Sequence, residues 1–341
     1  MRLLAISDLH LSHRRNRDGL AAMAHYPDDW LIVAGDVGER VEHLHFAIDQ
    51  LRPRFAQVIW TPGNHDLWCP PDNRERTRGQ ARYDELVGIC RAAGVITPED
   101  PFAKWPGTLD SVTPSAIPAI SDTSAISATS DTSATSATSA ISATSDTSAI
   151  SATSAISDTS ATYICPLFLL YDYSFRPPDI ARDDALAWAR QSGVGCGDEA
   201  MLDPEPWPSR EAWCHARCDE TERRLAALPA EATTVLINHW PLRYDLARPP
   251  RVPRFSLWCG TTRTENWPRR FQARAVVSGH LHMRTTIVRH GVRHEEVSLG
   301  YPRDWRQSRG VDWYVRNVLP NPASHAYRFA PARDPFMMPQ Q

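Results

Sequence analysis

The sequence lacks the cysteine patterns that would predict disulfides or a thiolate metal site. Its 7 cysteines are an odd number without a CxxC pair, which is typical of reduced thiols in a cytoplasmic protein. Only Cys214, His215 and Cys218 lie close together, and a zinc site needs about four ligands. Because no matching second pair exists, we interpret these three as ordinary residues on a helix face and expect a cytoplasmic protein.

The sequence also lacks a long apolar run and a strong net charge. The run Leu3–Ile6 is shorter than the about 7–15 apolar residues of a signal peptide. No stretch approaches the ~20 apolar residues that span a membrane. The net charge of −3 gives a weak overall field, which favours neither a long nucleic acid nor an anionic membrane as partner.

Short apolar runs alternate with helical stretches, and each run ends in a polar turn. Such runs with helices between them are typical of parallel strands that are covered on both faces. The carboxyl ends of these strands meet at one edge, where ligands bind in open α/β sheets. The runs are Leu3–Ile6, Trp30–Ala34, Gln57–Trp60, Thr234–Ile237 and Ala275–Val277. The predicted helices include Gly19–His25, Val41–Leu51, Asp183–Arg190 and Glu211–Leu228. The segment Gln191–Ser209 is predicted as a surface loop.

A strict triplet repeat of the form Ser-(Ala/Asp)-(Thr/Ile) runs from Ser121 to Thr162. Its period matches neither a helix nor a strand, and only isoleucine supplies bulky apolar surface to offset the entropy of ordering. We interpret it as a disordered insertion, with a short three-sided solenoid as the alternative. The predicted organisation is a catalytic domain in two parts, 1–114 and 163–310, an insertion at 115–162 and a tail at 311–341.

Five short motifs at the ends of apolar runs supply side chains that commonly bind metals. A single DxH or GD motif is weak, because such residues also form turns. Five of them in this position are a strong signal, and their carboxylate, imidazole and amide groups suit Mn, Fe or Zn better than a thiolate site would. The motifs are Asp8-x-His10, Gly35-Asp36, Gly63-Asn64-His65-Asp66, His239 and Gly279-His280-x-His282.

Together these motifs resemble those of the calcineurin-like metallophosphoesterase family, including its bacterial members. The resemblance extends from Met1 to about Trp305, apart from the repeat. It implies an α/β fold, a four-layer αββα sandwich of two mixed sheets flanked by helices. It also implies two divalent metal ions (Mn, Fe or Zn): the first held by Asp8, His10 and His282, the second by Asn64, His239 and His280, with Asp36 bridging both.

The resemblance also implies roles for residues that do not bind metal. His65 would donate a proton or stabilise charge at the phosphate, and Asp66 would orient His65 through a hydrogen bond. A Gly-Tyr-Pro segment like that of bacterial members implies that Tyr301 edges the site. The arginines that follow the first and third motifs are candidates to cradle an anionic substrate, namely Arg14, Arg15 and Arg17, and Arg74, Arg76 and Arg78.

We therefore expect a hydrolase that cleaves a phosphoester of a small anionic molecule through attack by a metal-bridging hydroxide. One alternative is a nuclease of the same family, which would need an extended basic track that the sequence does not supply. The other is a non-catalytic interaction scaffold, which would be expected to lose metal ligands. The sequence retains the full set, and it leaves open the substrate, the choice of monoester or diester, and the oligomeric state.

Overall fold

Two β-sheets form the centre of the fold in a computed structural model, which describes residues 1–69, 77–107 and 161–321. The first sheet has the strand order β10-β1-β2-β3, and the second has the order β4-β5-β6-β7-β9-β8. The strands are β1 (Leu3–Ile6), β2 (Tyr26–Ala34), β3 (Phe55–Thr61), β4 (Ala103–Lys104), β5 (Thr162–Pro166), β6 (Thr233–Ile237), β7 (Ala273–Ser278), β8 (Thr286–Arg289), β9 (Val292–Glu296) and β10 (Arg316–Leu319).

The inner strands of both sheets run parallel, and antiparallel strands lie at the edges. In the first sheet β1, β2 and β3 are parallel and β10 is antiparallel to β1. In the second sheet β5, β6, β7 and β9 are parallel, while β4 and β8 pair antiparallel with their neighbours. The carboxyl ends of the parallel strands therefore meet at one edge of each sheet.

Apolar residues alternate between the space separating the sheets and the outer, helix-covered faces. Leu3 and Ala5 of β1 pack in one core cluster with Val235 and Ile237 of β6. The intervening Leu4 of β1 belongs to a second cluster, which contains residues of the helices. Because strands buried on both faces need apolar side chains at every position, they read as continuous runs in the sequence.

Helices cover the outer faces of the two sheets. Helix α2 shows the usual pattern, with Leu44, Ala47, Ile48 and Leu51 buried on one face. The helices are α1 (Arg14–Ala21), α2 (Val41–Leu51), α3 (Asn64–Leu67), α4 (Gly79–Ala92), α5 (Ala185–Arg190), α6 (Asp198–Met201), α7 (Arg210–Ala226) and α8 (Trp267–Arg270). Two mixed sheets with helices outside them confirm the predicted four-layer α/β sandwich.

Several predicted boundaries differ from the structure. The expected tail at 311–341 contains β10, which pairs with β1 through residues Arg316–Leu319. Helix α1 begins at Arg14 rather than at Gly19. Thr162, the last residue of the expected insertion, is the first residue of β5. Residues 121–160 of the triplet repeat lie outside the described residues.

Candidate metal centre

The predicted metal-ligand side chains lie together at the carboxyl ends of the strands. They follow β1, β2, β3, β6 and β7, so both sheets contribute to the site. Backbone hydrogen bonds join neighbouring loops: Asp8 donates to the carbonyl of Gly35 at 2.9 Å, and Gly279 donates to that of His239 at 2.9 Å. The structure therefore brings together Asp8, His10, Asp36, Asn64, His239, His280 and His282.

Most of these side chains stand on strained backbone. The φ angles are 52° at Asp8, 41° at His10, 53° at Asp36, 73° at His280 and 53° at His282. This left-handed region is uncommon for residues other than glycine. Such a residue costs about 1–3 kcal/mol and persists only where its surroundings impose the conformation. The concentration of strain at one place is typical of a functional site.

Two motif glycines allow the loops to approach one another. A Cβ atom on Gly63 would collide with the carboxylate and backbone of Asp36. A Cβ atom on Gly279 would collide with Ser7 and the carboxylate of Asp8. Glycine is therefore required at these two positions because a side chain would occupy the space of a candidate ligand.

Asp8, His10 and His282 form the first group of converging donors. Nε2 of His282 lies 3.1 Å from Oδ1 of Asp8 and 3.1 Å from Nε2 of His10. Behind them, Nδ1 of His282 lies 3.1 Å from Oδ2 of Asp304, and the Ser298 hydroxyl donates to Oδ2 of Asp8 at 2.7 Å. Outer partners of this kind fix the orientation and tautomer of a ligand ring.

Asp36, Asn64, His239 and His280 form the second group. Oδ1 of Asn64 lies 3.2 Å from Nε2 of His239 and 3.2 Å from Nδ1 of His280. Oδ2 of Asp36 lies 3.4 Å from the same Nε2 of His239. The Nδ1–H of His239 donates to the carbonyl of Ala34 at 2.8 Å, so Nε2 is the ring nitrogen that faces the other donors.

Asp198 holds the Asn64 amide in this orientation. Its Oδ1 accepts hydrogen bonds from Nδ2 of Asn64 at 2.9 Å and from Nε1 of Trp68 at 2.7 Å. Asp198 is fully buried and belongs to α6, within the stretch that the sequence predicted to be a surface loop. Since the amide nitrogen is bound to Asp198, the Asn64 oxygen is the atom presented to the site.

Asp66 does not orient His65, which corrects the role expected for it. Its carboxylate accepts four backbone N–H groups: those of Asp36 and Gly63 at 2.9 Å each, of Val37 at 3.0 Å and of Gly38 at 3.2 Å. Both carboxylate oxygens are thus engaged by backbone donors. Asp66 instead fastens the loop after β2 to the loop after β3.

Glu39 is the carboxylate that contacts His65. Nδ1 of His65 lies 3.0 Å from Oε1 of Glu39. The ring centroid of Trp68 lies 3.7 Å from that of His65, and Nε2 of His65 lies 4.0 Å from Oδ2 of Asp36. The ring is therefore held from two sides with Nε2 directed towards the candidate ligands.

Burial and neighbouring charges set the protonation states of the donors. Burial alone would raise the pKa of Asp8 and of Asp36, but the adjacent imidazoles lower both below the usual value. Burial, together with neighbouring imidazoles, lowers the pKa of His10 to about 3 and that of His280 to about 3. Burial also lowers the pKa of His282, but Asp8 and Asp304 together outweigh it and raise the pKa to about 10. His10 and His280 can therefore bind a cation without losing a proton, whereas His282 must release one when it binds.

The donor set fits divalent cations. Ligand atoms of Asp8, His10 and His282 lie within 4.8 Å of one another, and so do those of Asp8, Asp36 and His239. Ligand atoms of His10, Asp36 and His65 form a third group and also lie within 4.8 Å of one another. Carboxylate oxygens, imidazole nitrogens and one amide oxygen suit Mn, Fe or Zn.

Tyr301 lies against His10, whereas the arginines lie farther out. The Tyr301 ring stacks on His10 with a centroid distance of 4.4 Å and an interplanar angle of 16°. The Arg14 side chain is 86% exposed, Arg15 is also exposed, and Arg17 donates to the carbonyl of Ser12 at 3.0 Å. Of the second cluster, Arg78 pairs with Asp203 at 3.5 Å, and Arg74 and Arg76 lie outside the described residues.

The cysteines do not form a competing metal site. Cys214 and Cys218 are buried in the face of α7, and Nε2 of His215 instead lies 3.0 Å from Oδ2 of Asp172. None of the seven cysteines forms a disulfide. Among the described residues, no helix is both long and apolar enough to cross a membrane.

Comparison with known proteins assigns the family. A family model described as calcineurin-like phosphoesterase matches residues 1–112. The acyl-carrier-protein phosphodiesterase PptH of Mycobacterium tuberculosis is 41% identical over 322 residues, which cover 94% of this chain and 84% of that protein. The chain belongs to the calcineurin-like phosphoesterase family. It is therefore a hydrolase that cleaves phosphoesters with divalent metal ions, and the interpretation as a non-catalytic scaffold is wrong.

Solved structures agree with this assignment. The crystal structure of the phosphopantetheinyl hydrolase PptH from Mycobacterium tuberculosis matches this phosphoesterase with a TM-score of 0.75 and 40% identity, covering 94% of this chain and 96% of that chain. A dimetal phosphatase from Danio rerio reaches a TM-score of only 0.33 at 10% identity, which is too weak to inform the fold. The close match confirms the metallophosphoesterase fold predicted from the sequence.

Proposed function

We propose that this phosphoesterase releases a phosphopantetheinyl group from a carrier protein by cleaving the phosphodiester that joins them. The observation that carries the proposal is the 41% identity to a carrier-protein phosphodiesterase along 94% of this chain. The substrate is then a small phosphorylated group borne by a protein. In such a diester one ester oxygen belongs to the pantetheine arm and the other to a hydroxyl side chain of the carrier.

Two adjacent cation sites are proposed within the converging donors. Asp8, His10 and His282 would hold the first cation and Asn64, His239 and His280 the second, with Asp36 shared between them. The assignment of ligands to two sites comes from the resemblance to the family, and the distances among the ligand atoms support it. When bound, the two cations (Mn, Fe or Zn) supply Lewis-acid chemistry, acidifying water and offsetting negative charge on the phosphate oxygens.

His65 is the proposed proton donor to the leaving oxygen. Hydrolysis forms a bond from a water oxygen to phosphorus and breaks the bond from phosphorus to the carrier oxygen, which must then gain a proton. Nδ1 of His65 is engaged by Glu39, so Nε2 is the atom available to deliver that proton. A positioned imidazole is well suited to this step near neutral pH.

Incubation of the metal-loaded protein with a holo-carrier protein tests the proposal. Mass spectrometry should show the carrier losing its phosphopantetheinyl group and regaining a free hydroxyl. Asp36→Asn, which removes the shared carboxylate, is the inactive control and should retain at most half of the bound metal. An intact carrier alongside rapid hydrolysis of small phosphomonoesters would contradict the proposal, and repeating the assay with Mn, Fe and Zn would identify the supporting metal.

A cytoplasmic location is also proposed, because all seven cysteines are free thiols in the structure. Fractionation of the native source cells, with the protein followed by antibody, would test it.

A further inference from the structure

Exposed arginines stack on residues around the candidate ligands or lie beside them in the sequence. Arg303 lies 5.1 Å from the ring centroid of Tyr301, the ring that stacks on His10. Arg14 directly follows His13, whose ring meets the same tyrosine at 5.6 Å. Arg40 directly follows Glu39, the partner of His65. We call this set the arginine rim: Arg14, Arg15, Arg40 and Arg303.

Two carboxylates beside the rim contact histidines of the site. Glu39 contacts His65 at 3.0 Å, and Asp304 contacts His282 at 3.1 Å through Oδ2, while its Oδ1 lies 3.8 Å from Nε of the 67% exposed Arg303 side chain. Asp18 pairs with Arg14 at 3.6 Å, but the two side chains are 64% and 86% exposed, and such surface pairs contribute little. The rim therefore presents positive charge to solvent, although the whole chain carries a net charge of −3.

Apolar side chains lie around His280. Phe255 stacks on His280 with a centroid distance of 5.5 Å and an interplanar angle of 22°. Tyr244 and Leu281 are half-buried and pack in the same small cluster as Phe255. This part of the centre is mainly apolar, although the guanidinium of Arg248 lies 5.6 Å from the ring centroid of Tyr244.

The position of His65 determines which part of the substrate meets the rim and which meets the apolar residues. The leaving oxygen takes its proton from His65, and in the proposed reaction that oxygen belongs to a side chain of the carrier. Because a hydroxyl side chain is short, the carrier surface must press against the mouth of the site beside His65. The pantetheine arm, on the other side of phosphorus, then extends towards the apolar residues.

We propose that the arginine rim docks an acidic face of the carrier protein that surrounds its modified side chain, an inference that rests on the proposed function. Charged groups at the edge of an interface mainly accelerate encounter and select the partner. The rim should therefore lower KM for the carrier-bound substrate and leave the chemical step unchanged.

The double variant Arg40→Glu/Arg303→Glu tests the rim. Its kcat/KM for a holo-carrier protein should fall by about tenfold or more through KM, the range over which charge steering acts. Its hydrolysis of a small chromogenic phosphodiester should stay within about twofold of wild type, which also shows that the variant folds. Wild-type kcat/KM for the carrier should decrease as salt is raised, and that decrease should be smaller in the variant.

The matched control is Arg223→Glu/Arg269→Glu, which makes the same change in net charge. Arg223 lies in the last turn of α7 and Arg269 in α8, and these helices lead into β6 and β7 at the edge opposite to the site. Equal losses in the control pair and the rim pair, or no loss in the rim pair, would overturn the docking surface. Cleavage inhibited more strongly by an oligonucleotide than by an acidic apo-carrier would overturn it in favour of a nucleic-acid partner. A wild-type protein that hydrolyses the small diester but never the holo-carrier would overturn the proposed function and the rim with it.

Discussion

His65 separates the binding of metal from the protonation of the leaving group. The change His65→Ala should leave both metals bound, because its Nδ1 contacts Glu39 rather than a proposed ligand. Loss of the proton donor should lower kcat by about 10²–10⁴. The loss should shrink for a substrate with a good leaving group, which needs no proton, and metal analysis should accompany the kinetics.

The result for bound metal is decisive because His65 also lies near His10 and Asp36, with which it forms a group of potential ligands. If His65→Ala lost one metal, His65 would be a ligand and the proton donor would have to be sought elsewhere. Glu39→Gln offers a milder companion variant, since the amide keeps an acceptor for Nδ1 but removes the charge.

Asp198 offers a second test at the level of single residues. Asp198→Ala frees the Asn64 amide to rotate, so the affinity for the second metal should fall by about 10–100-fold, as is usual for outer-sphere partners. Asp198→Asn should lose much less, because it retains an oxygen that can accept from Asn64 and Trp68. The other oxygen of Asp198 has no hydrogen-bond partner among the described residues, so an amide nitrogen there displaces no existing bond.

Metal titration of both variants, followed by activity measurements, would check this expectation. Circular dichroism would report whether removal of a buried carboxylate disturbs the fold. Equal metal affinity in Asp198→Ala and Asp198→Asn would show that Asp198 does not position Asn64.

The candidate ligands could be named from the sequence, while their supporting residues could not. Each ligand follows an apolar run directly, and the end of a parallel strand is a known location for ligands. Asp198 lies 134 residues from Asn64 along the chain, so its contact depends on packing that no local pattern encodes. Glu39 lies three residues after Asp36, in the loop that carries the second motif. This closeness to Asp36 was the signal in the sequence that could have indicated a role for Glu39.

Among the secondary-structure elements, β10 completes the first sheet and closes the space between the sheets. Val318 and Leu319 are buried in that inner core. Leu319→Ala should lower the free energy of unfolding by about 2–5 kcal/mol, the usual cost of truncating a buried leucine. Chemical denaturation would measure it, with Val288→Ala as control, since Val288 is 56% exposed. Equal effects of the two changes would mean that β10 adds little to the core.

The elements that the sequence predicted well are those with continuous apolar runs. Strands β1, β3, β6 and β7 are buried along most of their length, and their hydrophobicity is visible without knowledge of their neighbours. In β10 only the last two residues are buried, because it is an edge strand. Helix α1 begins among arginines and buries only Asn16 and Leu20, so its first turn carried no apolar signal.

For the whole molecule, the chain on either side of the triplet repeat is joined within the second sheet. Trp105 donates to the carbonyl of Thr162 at 2.7 Å, and β4 pairs with β5. Replacing 121–160 by a short Gly-Ser linker should therefore leave kcat/KM within about twofold, since no candidate site residue is removed and lengthening or shortening a loop changes its closure entropy only slightly. Steady-state kinetics and thermal unfolding would check this, and loss of folding would favour the three-sided solenoid.

The construction of one site from both ends of the chain has a consequence for folding kinetics. Asp8 and His282 meet across 274 residues of sequence, a separation that gives the centre a high contact order. Contacts between distant segments carry the largest loop-closure entropy and tend to form slowly. During refolding, enzymatic activity should therefore recover later than the near-ultraviolet signal of the buried tryptophans. Metal in the refolding buffer should then stabilise only the native state, because a ligand that binds only the native protein shifts the folding equilibrium towards it.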